Sequence, residues 1–247
     1  MKAPTLILLV IFLTMPRLAQ AIDVPTITLG VAKADSPQQV STAIQLLLLL
    51  TILSITPAII LMTTCFTRIV IVLGFVRQAL GTQNMPPTQI ILGLSLFLSL
   101  FVMTPTLEAI RVEALTPYMD QKISQEEALT RAIRPLRAFM FSQVREEELT
   151  LLTDISGAKE PANRDEVPTL TLIPAFMLSE LKRAFQMGFM IYIPFLVIDM
   201  IVASILMSMG MMMLPPVIIS MPFKLLLFVL VDGWNLIVGS LIKSFAA

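Results

Sequence analysis

The chain has 247 residues, 56% hydrophobic and 14% charged, with a formal net charge of zero and a mean hydropathy of +0.87. Soluble domains carry roughly 25% charged residues, so this composition marks a membrane or membrane-assembly protein. There is no His and a single cysteine, Cys65, which excludes His/Cys metal sites, His-based triads and disulfide frameworks, and no basic block or basic-aromatic pattern invites nucleic acid.

Lys2, an apolar core from Leu6 to Met15, Pro16 and the small-x-small pattern Ala19, Gln20, Ala21 read as a cleavable secretory signal over residues 1–21. Its core is too short for the roughly 20 residues of a span. Cleavage after Ala21 would leave a mature segment, 22–43, outside the cytoplasm. Residues 36–67 and 78–107 are uncharged stretches of 32 and 30 residues, and each can hold one spanning helix. The first is expected from about Ile44 to Met62, kinked at Pro57, and the second from about Gln89 to Met103, after a turn at residues 81–87. Together they make an apolar hairpin over 44–107, with a turn between Arg68 and Arg77. Cys65 reads as a packed small hydrophobe.

Charge then becomes concentrated, residues 108–183 holding 23 of the 34 charged side chains. Residues 108–173 are read as a water-facing helical domain, periplasmic if the mature start is outside. Ser124 with Glu127 is a capping box, and Leu129, Ala132, Ile133, Leu136, Phe139 and Met140 follow at helical spacing, a face built for burial. Pro135 should bend that helix, and residues 157–168 form a polar linker. From 174 to 247 the pattern predicts a long helix from about Ala175 to Met207 bent at Pro194, a methionine-rich break, and a return helix from about Phe223 to Phe245. Inside positive charge is missing from the loops, because Lys182, Arg183 and Lys243 fall on the outer side of this topology.

Five of the seven residues from Met207 to Met213 are methionines, followed by Leu214, Pro215 and Pro216. Unbranched thioethers at a helix break suit a surface that must seal and yield. Each methionine left in water forfeits roughly 1.5 to 3 kcal/mol, so converging tips should close on themselves, and an apolar constriction blocks ions by dewetting. Copper(I) is the rival ligand, but the cluster has no Cys or His exits. Asp199 and Asp232 interrupt the two apolar arms and are candidates for buried polar residues. A carboxylate in a membrane helix is costly and marks a functional or paired site, either an aspartyl protease dyad or bonds to backbone and partner. Asp232 lies in Val231-Asp232-Gly233-Trp234, not the Gly-x-Gly-Asp context of such proteases. Arg145, Glu180 and Lys224, beside apolar stretches, are candidates for contacts between neighbouring subunits, against a solvated alternative.

Residues 176–194, Ile198 with Asp199, residues 209–216 and residues 222–234 resemble the FliP family of flagellar biosynthesis proteins, and so do residues 67–73, 83–87 and the signal. The resemblance implies an all-α export-gate subunit of a type III secretion apparatus in the bacterial inner membrane and flagellar basal body. In that family several copies coil into a helical ring, joined by two smaller membrane proteins, and the gate passes unfolded substrates. It also implies association with the larger export-gate membrane protein and the basal-body ring. Carried over by position, Met209, Met211, Met212 and Met213 would form the pore seal, and Arg145, Glu180 and Lys224 would meet neighbouring subunits. No catalytic residue, metal or cofactor is implied, and no phosphate-binding loop is present. A small-solute permease subunit is the alternative reading, although no internal repeat is visible.

Overall fold

The computed structural model describes residues 37–82, 85–156, 163–211 and 213–246, with side chains described from residue 44 onward. The signal over 1–21, most of the mature segment 22–43, half of the 157–168 linker and Met212 lie outside the described residues. Every regular element among the described residues is helical. Three of these helical stretches, Ile44–Met62, Thr88–Met119 and Thr169–Ser208, are long and apolar enough to cross a membrane.

Residues 1–49 and 50–247 form two compact units. The first is described only where α1 (Pro37–Met62) begins. No residue of α1 between 44 and 62 is buried, and Pro57 lies inside it. A helix apolar all round, with no side chain buried from 44 to 62, suits surroundings of lipid or protein.

In the second unit, residues 68–77 are not the expected turn. They belong to α2 (Phe66–Ala79), whose Ile69, Val72, Leu73, Val76 and Ala79 are buried at helical spacing. α2 packs along α7 (Thr169–Ser208) and against α3 (Thr88–Ile110), so a third helix intervenes between the two arms of the expected hairpin. Phe75 of α2 meets Phe185 of α7 edge-on at 5.6 Å, and Gly188 lies so close beneath Phe75 that a Cβ there would fall 2.3 Å from the ring. α3 outruns its expected end, passing through one π turn (Arg111–Leu115) into α4 (Thr116–Met119).

α5 (Gln125–Gln143) starts as its capping box requires, with the Glu127 N–H donating to Ser124 Oγ at 3.2 Å, and Pro135 lies within it. Its apolar face is only half used: Met140 is buried, whereas Leu129 and Ile133 are exposed in the single chain. α6 (Glu146–Ile155), with three glutamates in its first turn beside the positive end of the helix dipole, is an element the sequence reading did not anticipate. Arg137 ties α5 to the chain before α7, donating to Thr169 Oγ1 at 2.6 Å and to the Val167 carbonyl at 2.8 Å. Met140, Phe141, Val167, Leu172 and Phe176 form a small core beneath that junction.

α7 is one helix of 40 residues, begun at Thr169 rather than near Pro174, with Pro194 in its interior. The return arm starts earlier than expected, at Pro216, because proline at the first helical position has no N–H to lose. It is also broken. α8 (Pro216–Leu230) and α9 (Gly233–Lys243) meet at a 64° bend across Val231 and Asp232.

Candidate functional site

Among the described residues, the methionine break is a turn closed by backbone bonds. At the end of α7 the Gly210 N–H donates to the Met207 carbonyl at 3.1 Å and the Met211 N–H to the Leu206 carbonyl at 3.0 Å, the paired bonds of a Schellman stop. Gly210 takes φ +73°, a left-handed conformation that side chains disfavour. Because no thioether is needed to hold the turn, the side chains face out: Met209 is 63% exposed, Met211 37% and Met213 98%.

Below the turn, α7 and α8 are joined by a polar cluster in otherwise apolar surroundings. Lys224, almost fully buried, places Nζ 2.6 Å from Asp199 Oδ2, and Ser220 Oγ donates to Asp199 Oδ1. Two residues that the sequence put in different classes thus satisfy one another. Asp199 is three-quarters covered and paired. Asp232 is not a buried polar residue: it is exposed, and Asn235 Nδ2 donates to its carboxylate at 3.2 Å. Its backbone has φ +51°, so it occupies the left-handed stop of α8, a place that Asp tolerates better than most residues. With these separate partners the two aspartates are not bonded to each other, and the protease dyad has no geometric basis.

The deepest polar site was missed by the sequence reading. Arg68, fully buried on α2, spends all five of its N–H groups: Nε donates to Glu180 Oε2 at 2.9 Å, and Nη2 donates to Glu180 Oε1 and to Gln143 Oε1, the latter at 3.0 Å. Nη1 donates to both the carbonyl and the hydroxyl of Ser244 at 3.0 Å. The Phe245 ring lies 3.8 Å from the guanidinium carbon, and Gln143 Nε2 donates to the Phe245 carbonyl at 3.1 Å. A charge at each of two largely apolar helical stretches, Arg68 and Glu180, was the signal that would have found this pair.

Among the candidates for subunit contacts, Glu180 and Lys224 therefore have internal partners in the single chain, and only Arg145 is partly exposed. Arg145 Nη2 stands 3.1 Å from Glu147 and its Nε 3.4 Å from Glu148, and Lys182 Nζ reaches both carboxylates at 3.0 Å. The Lys182 ammonium, helped by Arg145, holds the Glu147 carboxyl below the usual carboxylate range. Cys65 is buried beside Ser99, as its packed reading requires, and burial pushes its thiol up to about 11. No group of three His, Cys, Asp or Glu among the described residues could hold a metal ion.

The model of the FliP family matches residues 49–241. The flagellar biosynthetic protein FliP of Bacillus subtilis is 56% identical over 217 residues, covering 88% of this chain and 98% of its own. Its counterpart in Caulobacter vibrioides is 49% identical over 231 residues, 94% of this chain and 85% of the relative. That of Aquifex aeolicus is 47% identical over 228 residues, 90% and 92%. The match takes in α2, both buried ion pairs and the methionine turn, and on this evidence the chain belongs to the FliP family.

Proposed function

We propose that this chain forms wall and seal of the flagellar type III protein export gate. Family membership gives it a role in the flagellar export apparatus, and its apolar helices give it a place in the inner membrane. The finer reading is that several copies surround a conduit with two smaller export-gate membrane proteins, and that unfolded flagellar substrates pass through it. The charged region 108–173 lies on the periplasmic side, and the larger export-gate protein and the basal-body ring are neighbours. The chain works passively, energy being supplied elsewhere.

The observation that carries this reading is the methionine turn: side chains left exposed at the tip of a long hairpin whose fold does not need them. Met209, Met211, Met212 and Met213 from several copies would close on one another, because each exposed thioether side chain forfeits roughly 1.5 to 3 kcal/mol in water. The same softness lets the closure part around substrates of different shape. Arg145, Glu180 and Lys224 serve the assembly in this reading, Arg145 by direct contact and the other two by shaping the arms that meet.

Replacing Met211, Met212 and Met213 together with Ala should raise ion leak through the membrane while the assembled complex is still recovered. Since the Schellman bonds use backbone only, the turn itself should survive the change. Normal ion tightness in the triple variant would remove the seal.

A further inference from the structure

Two charges stand at one level of the second unit, each without an opposite charge among the described residues of its own chain. Asp232 is exposed at the break of the return arm, beside the exposed apolar side chains of Val229, Leu230, Val231 and Leu236. Its carboxylate accepts from the Asn235 amide and meets no cation among the described residues. The fold does not need that charge: Asn and Gly take a left-handed position as readily, and the Asp232 side chain does not cap α9. A carboxylate in an apolar arm is costly unless it is paired.

Arg77, in the last turn of α2, is its counterpart. It is half-buried, its Nη1 donates to Thr88 Oγ1 at 2.9 Å, and no carboxylate among the described residues pairs with it. Gly74, Gln78 and Gly81 line a cleft of about 300 Å3 with it, open over Gly74, where a Cβ would meet nothing within 4 Å. The two levels agree. Arg77 follows Phe75, which lies on Gly188, and precedes Gly81, where a Cβ would stand 3.8 Å from the Lys224 ammonium that holds Asp199. It is thus level with the part of α7 between Gly188 and Asp199. Asp232 is level with the same part, since neighbouring Trp234 stands edge-on to Phe228 at 5.3 Å and Phe228 is 6.3 Å from Phe195.

We propose that Asp232 of one copy enters this cleft on the next copy and pairs with its Arg77, the exposed Gln78 amide being a second donor. A guanidinium fork takes a carboxylate through two parallel N–H bonds, and Thr88 occupies only one of the Arg77 nitrogens. Because acid and cleft are different patches of one chain, each copy gives one carboxylate and takes one. Such a head-to-tail contact builds a ring or a helix rather than a two-fold dimer. The pair rests on the assembly of several copies proposed above and sets the register between neighbouring copies.

The test leaves both charges in place. Two differently tagged chains, one with Gln78→Cys and one with Asn235→Cys, are expressed together with the neighbouring genes, and the purified complex is treated with a short bis-maleimide; Cys65 is buried and does not react. A covalent dimer carrying both tags is expected, and none between two Gln78→Cys chains. Asp232→Asn, which keeps the left-handed position, should lower the yield of that dimer by roughly ten-fold or more, as truncating one partner of a desolvated charge pair does. Arg77→Gln should do the same, and the double variant should lose no more than either single one. A mixed-tag dimer indifferent to both changes would overturn the pair, and so would its absence from a complex that native mass spectrometry shows to be oligomeric, which leaves the export-gate reading standing. A phospholipid adduct lost with Arg77→Gln, in place of the dimer, would give the cleft to lipid and overturn the pair as well. An unsubstituted protein that is monomeric would remove both readings.

Discussion

Arg68 is stable in its site only because its donor set is complete. A buried ion pair repays its desolvation when geometry is good and every remaining group is bonded, and here the guanidinium fork matches one carboxylate and three further acceptors. Breaking such a pair from one side leaves an uncompensated charge, at about 3 to 5 kcal/mol. Arg68→Met should therefore lower the thermal stability of the purified complex strongly, and the double variant Arg68→Met with Glu180→Met should recover most of the loss. Thermal unfolding of the two variants in detergent decides it, and equal losses would mean that the charges do not depend on each other. The residue was legible in the sequence as a charge and illegible as a site. A hydropathy window averages Arg68 into a loop, and its partners lie 75, 112 and 176 positions away, where local spacing says nothing. Asp199 and Lys224 were both singled out from the sequence, since a charge in an apolar arm stands out, but only folding shows that they answer each other.

At the scale of elements, what the sequence displays well is continuous apolar length and strong punctuation. The capped start of α5, the apolar α1, the long α7 and the stop at Gly210 all follow from local chemistry. α2 was hidden because arginines near both of its ends imitate loop boundaries, although Ile69, Val72, Leu73 and Val76 already had helical spacing. The break at Asp232 was hidden for the opposite reason: an aspartate in a left-handed stop looks in sequence like a buried polar residue within a continuous helix. The seam between α2 and α7 depends on a small residue at one point. Gly188→Ala puts a Cβ into the Phe75 ring, and overpacking of that kind costs about 1 to 3 kcal/mol. Gly188→Ala should then reduce the amount of assembled protein at steady state, and adding Phe75→Leu should restore it. Failure of the second change to rescue the first would show that Gly188 matters for something other than this contact.

For the molecule as a whole, the decisive feature is where its uncovered apolar surface lies. Phe97 and Phe101 on α3, Phe189 and Met190 on α7, and Val229 and Leu230 on α8 are exposed on span-capable segments, where lipid could cover them. Leu129, Leu151 and Ile155 are also exposed, and they belong to the charged stretch that the proposed function places in water. On that reading lipid would not cover those residues, and an apolar face of that kind in a water-facing segment signals protein contact. A lone monomer that transports small solutes has no use for them, whereas a ring of copies would bury them between neighbours. Native mass spectrometry of the protein purified in mild detergent, after expression with its neighbouring genes, should therefore give a closed oligomer of several copies joined to smaller membrane subunits. A monomer or dimer under the same conditions would leave the charged region's apolar residues without partners, return the methionines to ordinary packing and shift the reading to a permease subunit.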